Sequence, residues 1–174
     1  MILHKGEILF RQGEESPLYR LVSGMLKITR LHEDGTPTLV NIIVPGEVIP
    51  HHSLISPSSC YGTASALVTC EIEALDTEQW YRNLKEDAGQ CREIALLLQQ
   101  KLRMMQQRID QLTEVAPADK LRKLQSWFSS YIPAGALTDI LTQEEIGQLI
   151  GLRRETVNRL LRAQSAGKSA AQLE

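Results

Sequence analysis

The first half of the chain alternates short apolar runs with turn residues. The runs are rich in Val, Ile, Leu and Thr and cover residues 7–10, 19–22, 25–31, 38–44 and 66–75. Glycines separate them at roughly even spacing, at Gly6, Gly13, Gly24, Gly35, Gly46 and Gly62. Glycine favours turns that need positive φ, and Glu33-Asp34-Gly35 is typical of a hairpin turn. Many short strands with regular turns predict an all-β roll or barrel over residues 1–89.

The period of the pattern changes after Asp76-Thr77-Glu78, which is typical of a helix start. One long helix without Gly or Pro is predicted from about residue 90 to residue 112, within a dimerisation segment that covers residues 90–116. Its apolar residues recur at alternating spacings of 4 and 3, at Leu98, Leu102, Met105, Ile109 and Leu112. This heptad spacing, with polar neighbours on both sides, favours a parallel dimer seam. The alternative is a stripe that packs on the helix's own domain.

Pro117 ends the long helix, and residues 117–174 are predicted to form a helical domain. An amphipathic helix covers residues 118–131, and a loop covers residues 132–135. Thr142 with Glu145 then forms a capping box, and Gly151 marks a sharp turn. A second short helix from about residue 153 completes a helix-turn-helix. From about residue 164 the chain is small and polar, which predicts a disordered tail.

The second short helix carries a polar face that suits DNA. Arg pairs with guanine, Glu accepts from cytosine and Asn suits adenine, so the predicted base-reading residues are Arg154, Glu155, Asn158 and Arg159. Hydroxyl, amide and cationic groups at the two helix starts can hold backbone phosphates, and the predicted phosphate contacts are Thr142, Gln143, Arg153 and Thr156. The alternative is an ordinary helical hairpin with a solvated charged face.

Charge supports two separate roles along the 174 residues. The net charge is −2, but residues 1–81 hold 5 basic and 10 acidic side chains, whereas residues 82–174 hold 14 and 11. The second half is therefore the one expected to meet a polyanion. No apolar run is long enough for a membrane span, so a cytoplasmic protein is expected. No nucleophile–base pair, phosphate loop or metal-spaced cluster is present, which argues against an enzyme and against a metal site.

Several segments together resemble the CRP/Fnr superfamily of bacterial transcription regulators. They are KGEILFRQGE (5–14), YRLVSGMLKITR (19–30), DG (34–35), PGEVI (45–49), CEIEAL (70–75) and TQEEIGQLIGLRRETVNRLL (142–161). The resemblance implies an α+β fold: a cyclic-nucleotide-binding-like β-roll of the jelly-roll or double-stranded β-helix type, a long dimerisation helix and a C-terminal helix-turn-helix. It also implies a homodimer on palindromic double-stranded DNA, with RNA polymerase as a partner. The family's β-hairpin wing is expected to be absent here, so a sensor or dimerisation module with little DNA binding is the alternative function.

The effector is left open by the sequence. The family's cAMP-binding members grip the phosphate with an Arg-Ser pair, and the position of that Arg falls here at Cys60 or Tyr61, within residues 31–81 that hold no Lys or Arg. A buried phosphate without a cation is costly, so cAMP is not expected. Three dispersed cysteines do not suit an iron–sulfur cluster. His51 and His52 resemble the region of a haem ligand in a carbon-monoxide-sensing member; the alternatives are solvent-exposed histidines, a neutral small ligand or no effector.

Overall fold

The computed structural model describes residues 1–131 and 137–171, with side chains up to residue 166. The chain separates into two compact units, Met1–Met105 and Gln106–Glu174. Their boundary falls inside the long helix, whereas the sequence predicted a separate segment at residues 90–116. The loop predicted at residues 132–135 lies outside the described residues.

The first unit begins with two antiparallel sheets. Their strands are β1 (Ile2–Leu3), β2 (Ile8–Phe10), β3 (Tyr19–Ser23), β4 (Leu26–Leu31), β5 (Pro37–Ile43), β6 (Val48–Ile49), β7 (Thr63–Ala66) and β8 (Cys70–Ala74). One sheet has the order β1-β8-β3-β6 and the other has the order β2-β7-β4-β5. A short 3-10 turn, His51–Ser53, follows β6. This arrangement confirms the predicted β-roll within an α+β fold.

The predicted hairpin turn joins β4 to β5. These strands pair from Leu26 with Ile43 to Leu31 with Pro37. Gly35 at the turn has a φ of +81°, a conformation that glycine adopts at low cost. The Thr36 amide donates to the Asp34 carboxylate at 2.9 Å, and this bond lowers the pKa of Asp34.

The apolar run at residues 66–75 is two strands rather than one. Ala66 ends β7 and pairs with Leu26 in one sheet, whereas Cys70 begins β8 and pairs with Leu3 in the other. The chain therefore changes sheets between them. The crossing residues Leu67 and Val68 are apolar, so the hydrophobic pattern continues through it and does not reveal the break.

An apolar core fills the roll with residues from both sheets. It comprises Leu3, Phe10, Leu21, Leu26, Ile43, Ile49, Cys60, Ala64, Ala66, Cys70 and Ile72. The sheets approach closely at Gly24, where a Cβ would lie 2.5 Å from the Thr69 carbonyl oxygen. Because Gly24 also has a φ of +89°, both its backbone conformation and the available space require glycine.

Two helices complete the first unit and lead out of it. Helix α1 spans Thr77–Glu86, and its N-cap Asp76, within the predicted helix start, accepts from the Gln79 amide at 2.9 Å. Helix α2 spans Ala88–Thr113, slightly longer than predicted. A second apolar cluster packs at this end of the unit and contains Leu18, Val48, Leu54 and Ile94, with Trp80 and Leu98 among its half-buried neighbours.

The second unit is helical in its described residues. Its helices are α3 (Pro117–Ser129), α4 (Leu137–Ile140), α5 (Gln143–Ile150) and α6 (Arg154–Ala171). Helix α6 continues past residue 164 to Ala171, whereas the sequence predicted a disordered tail from about residue 164. Ala is the strongest helix former and Gln and Lys follow closely, which favours helix through this stretch. No helix in the described part of the chain has the length and apolar character to cross a membrane.

Candidate nucleic-acid interface

The first helix of the predicted helix-turn-helix begins with a complete capping box. The Glu145 amide donates to the Thr142 hydroxyl at 3.2 Å, and the Thr142 amide donates to the Glu145 carboxylate at 2.8 Å. The Thr142 hydroxyl itself donates to the same carboxylate at 3.0 Å. The cap therefore occupies both roles of this hydroxyl. A phosphate contact from Thr142 would compete with this bond, which leaves Gln143 as the first uncommitted side-chain donor of α5.

Two glycines shape the turn between α5 and α6. Gly151 has φ 66° and ψ 40°, the left-handed conformation that ends many helices. The Leu152 amide donates to the Gly147 carbonyl at 2.9 Å. A Cβ on Gly147 would lie 2.4 Å from the Leu152 carbonyl oxygen, so this position requires glycine for space. The turn at Gly151 was predicted from the sequence, whereas the need for Gly147 was not; a glycine inside a helical pattern is the signal that could have indicated it.

Helix α6 presents three of the predicted base-reading residues to solvent. Arg154, Glu155 and Arg159 are exposed, and their side chains make no hydrogen bond or ion pair within the described residues, while Val157 is fully buried. Glu155 and Arg159 are four residues apart and therefore share one face of the helix. Arg154, in the first turn, is exposed beside that face. Of the predicted phosphate contacts, Arg153 is exposed just before the helix and Thr156 is half-buried.

Asn158 lies differently from the other three predicted base-reading residues. It is half-buried, and its side-chain amide donates to the Gln143 side-chain carbonyl at 2.9 Å. The bond joins the second turn of α6 to the first residue of α5. The sequence predicted a base contact for Asn158 and a phosphate contact for Gln143, but not the contact between them.

Helix α3 provides the apolar surface against which the helix-turn-helix packs. It contacts both α5 and α6, and its Leu121, Leu124 and Phe128 are buried. The side-chain amides of Gln125 on α3 and Gln164 on α6 form two hydrogen bonds with each other, at 3.0 and 3.2 Å. The buried apolar residues of α3 are thus the main packing surface beneath α5 and α6.

The predicted dimer seam on α2 is uneven in exposure. Leu98 packs against the apolar cluster of its own unit, and Leu112 is half-buried. Leu102, Met105 and Ile109 between them are 60%, 40% and 56% exposed. The part of the stripe without cover in this chain therefore runs from Leu102 to Ile109.

The β5–β6 turn is tied to α2 by an ionic cluster within the first unit. Glu47 Oε2 lies 2.6 Å from Lys101 Nζ and 2.7 Å from His51 Nε2, and the Val44 amide donates to Glu47 Oε1 at 2.9 Å. The Glu47 and Lys101 side chains are only 11% and 13% exposed. Burial alone would raise the pKa of Glu47, but the hydrogen bond from His51 and the charge of Lys101 outweigh it and lower the pKa.

The other predicted effector positions lie around this cluster and on the roll. Ligation through Nε2 of His51 would require breaking its bond to Glu47. His52 is exposed, and partial desolvation of its ring together with the charge of His51 lowers its pKa. The Arg30 guanidinium stacks over the Tyr61 ring, 4.2 Å from its centroid. A cation from outside residues 31–81 therefore reaches one of the two positions that could correspond to the phosphate-binding Arg of the family. Among the described residues, no cluster of three or more His, Cys, Asp or Glu side chains is arranged to hold a metal ion.

In chain order, the protein consists of a β-roll, a long helix and a helix-turn-helix. This order is typical of transcription regulators that combine a sensor-type roll with a DNA-binding unit. The family model of the cyclic nucleotide-binding domain matches residues 1–87, and that of the bacterial regulatory proteins of the crp family matches residues 140–163. The chain belongs to the CRP/FNR family of transcription regulators, as the resemblance predicted. This is not a family of enzymes.

Similar proteins extend the match over most of the chain. A CRP-like cAMP-activated global transcriptional regulator of Mycobacterium tuberculosis is 32% identical over 169 residues, which cover 90% of this chain and 73% of that protein. A cyclic AMP receptor protein of Thermus thermophilus is 26% identical over 170 residues, covering 91% and 73%. The crystal structure of a CRP-family transcriptional regulator, also from Thermus thermophilus, has the same fold, with a TM-score of 0.79, 19% identity and coverage of 97% and 85%.

Proposed function

We propose that this chain is a cytoplasmic, sequence-specific DNA-binding regulator that acts as a homodimer on a palindromic operator, with RNA polymerase as its protein partner. The main support is the surface of α6. Within the described residues, the side chains of Arg154, Glu155 and Arg159 are exposed there and have no hydrogen-bond or ion-pair partner. Buried Val157 fixes which face of the helix turns outward. Arginine pairs with guanine and glutamate with cytosine, so this surface suits a guanine-containing half-site.

The dimer part of the proposal rests on the exposed section of α2. Leu102, Met105 and Ile109 are large apolar residues at heptad spacing, and leaving them in water forfeits hydrophobic stabilisation. A parallel partner helix would cover them. It would also relate two recognition helices by a two-fold axis, so that they could enter successive major grooves about 34 Å apart.

We further infer that cAMP is not the effector, although the Mycobacterium tuberculosis relative is described as cAMP-activated. A cyclic phosphate in a buried site needs an uncommitted cation. Lys101 is already bound to Glu47 at 2.6 Å, and Arg30 donates to the Tyr61 hydroxyl. Millimolar cAMP should therefore leave the thermal unfolding midpoint unchanged. A rise in that midpoint that saturates with cAMP concentration would contradict the inference.

The test of DNA binding starts from duplexes recovered by repeated selection from a randomised pool. Wild-type protein should bind the selected palindrome with log Kd linear in log salt, because each neutralised phosphate adds about 0.9 to the slope. Arg154→Ala should weaken binding and lose the preference for guanine, a discrimination worth about 1–3 kcal/mol. Arg122→Ala is the matched control, since Arg122 is an exposed arginine on α3 paired with Asp119 at 2.8 Å.

The rival function is a sensor or dimerisation module with weak or no DNA binding. From Arg154 to Ala171 the chain is one helix, so no wing hairpin lies in this range to add phosphate contacts. Recovery of no duplex, or binding without a salt slope, would favour the module. Equal effects of Arg154→Ala and Arg122→Ala would exclude base reading by α6.

A further inference from the structure

The side-chain amides of Asn158 and Gln143 join the two helices that the proposed function brings to DNA. We propose that Asn158 is a positioning residue: it holds the Gln143 amide so that this amide donates to the DNA backbone, and it does not read a base. This rests on the proposed DNA binding and assigns a role within it. It replaces the simpler prediction that the two residues make independent contacts.

The position of the pair supports a link between backbone contact and base contact. Asn158 follows Arg154 by four residues and precedes Arg159, so it borders the exposed surface of α6. Gln143 is the first residue of α5, and the first helix of a helix-turn-helix crosses the DNA backbone. The 2.9 Å bond between them therefore connects the base-facing helix to the backbone-facing helix.

The donors and acceptors of the pair favour this division of roles. An asparagine that reads adenine uses its N–H and its carbonyl together, in one plane set by the base. The bond from Asn158 to Gln143 takes one of the two Asn158 N–H donors and fixes that plane. The same bond occupies the Gln143 carbonyl and leaves both of its N–H groups to donate. A side chain with two free N–H donors suits a phosphate oxygen.

The neighbouring cap strengthens the case for Gln143. The Thr142 hydroxyl donates to the Glu145 carboxylate at 3.0 Å, so it has no second proton for a phosphate. Gln143 is then the side chain that can serve the backbone at this helix start. Without Asn158 its amide would rotate freely, and each binding event would have to order it.

The experiment is a double-mutant cycle on the selected palindromic duplex with Asn158→Ala, Gln143→Ala and the double variant. Each single change should weaken binding about fivefold to tenfold, the scale of one hydrogen bond. The double variant should bind the duplex with the same affinity as the single variant that binds it less tightly. Because neither residue is charged, the salt slope should stay unchanged, whereas Arg153→Ala should reduce it by about 1.

Base preference separates positioning from reading. Across duplexes with each half-site position substituted, Asn158→Ala should lower affinity evenly, whereas Arg154→Ala should alter the preference. Gln125→Ala is the control for helix packing, since it removes an amide pair of the same kind between α3 and α6. It should leave the duplex affinity within about twofold of wild type, because it lies outside the proposed contact.

Three results would overturn the inference while leaving DNA binding intact: additive losses in the cycle, a changed preference at one base pair in Asn158→Ala alone, or an equal loss in Gln125→Ala. If wild-type protein selects no duplex, the proposed function fails first and this inference fails with it. Non-additive, sequence-independent losses with an unchanged salt slope are the result expected.

Discussion

Replacing Lys101 with methionine should destabilise the first unit because it leaves the Glu47 carboxylate buried without the Lys101 ammonium. The two charged groups lie 2.6 Å apart, and both side chains are almost fully removed from solvent. Methionine keeps the length of the lysine stem and has a similar helix propensity. The change therefore removes the charge from α2 while keeping the packing of the stem.

The size of the effect follows from burial and from the partners that remain. Breaking a fully buried ion pair costs about 3–5 kcal/mol, whereas an exposed pair contributes about 0.2–1 kcal/mol. Glu47 would keep His51 and the Val44 amide, which reduces the penalty. We expect Lys101→Met to lower the free energy of unfolding by about 2 kcal/mol. Glu47→Gln should cost a similar amount, since it leaves the Lys101 ammonium buried.

The assay is urea unfolding followed by tryptophan fluorescence. The chain has two tryptophans, and a Trp127→Phe background leaves Trp80 as a reporter inside the first unit. Its indole N–H donates to the Leu54 carbonyl at 2.9 Å, so its environment depends on the fold. The control is Arg20→Met: Arg20 lies 2.7 Å from Glu73, but these side chains are 43% and 49% exposed. Because this ion pair is exposed, Arg20→Met should lower the free energy of unfolding by less than about 1 kcal/mol.

The pH dependence has a defined sign. The folded-state pKa of Glu47 lies below its ordinary value of 4.5, so the carboxylate stabilises the fold fully above that value. The contribution is lost as pH falls through the lowered pKa. The difference between wild type and Lys101→Met should therefore be largest at neutral pH and shrink below about pH 4.5. Equal costs for Lys101→Met and Arg20→Met, or additive costs for Lys101→Met and Glu47→Gln, would refute the argument from burial.

Two further predictions concern the second unit and the dimer. Gly147→Ala should destabilise the helical unit by about 2 kcal/mol, because the new Cβ would clash with the Leu152 carbonyl oxygen; Trp127 fluorescence in a Trp80→Phe background measures it, and a gain in stability would contradict the geometry. Ile109→Glu should convert the proposed dimer to monomer in sedimentation equilibrium, because a charge would enter the proposed seam. Arg103→Glu, at another exposed position of α2, should leave the dimer intact.

The features that the sequence predicted well depend on neighbouring residues. The Thr142–Glu145 capping box and the Gly151 turn involve groups a few residues apart, and short-range chemistry decides them. The turn at Gly35 belongs to the same kind. Each of these elements has the residue types that its local geometry requires. The order of the elements and their resemblance to one family then determined the fold class.

The features that the sequence did not predict join residues far apart in the chain. Lys101 reaches Glu47 across 54 positions, and Asn158 reaches Gln143 across 15. Residues 31–81 contain no cation of their own, yet α2 supplies a lysine to the turn that they include. A linear segment shows the charges that it carries and not those that the fold brings to it.

The apolar stripe of α2 illustrates the same limit in the proposed dimer seam. A heptad spacing predicts one continuous face, and every member of that face looks equivalent in the sequence. The fold divides it, because Leu98 is covered by the cluster around Ile94 while Leu102, Met105 and Ile109 remain exposed. Stability gained from a partner helix depends on apolar area newly removed from water. We therefore expect substitution of Ile109 to weaken the dimer more than substitution of Leu98, which should mainly destabilise the first unit.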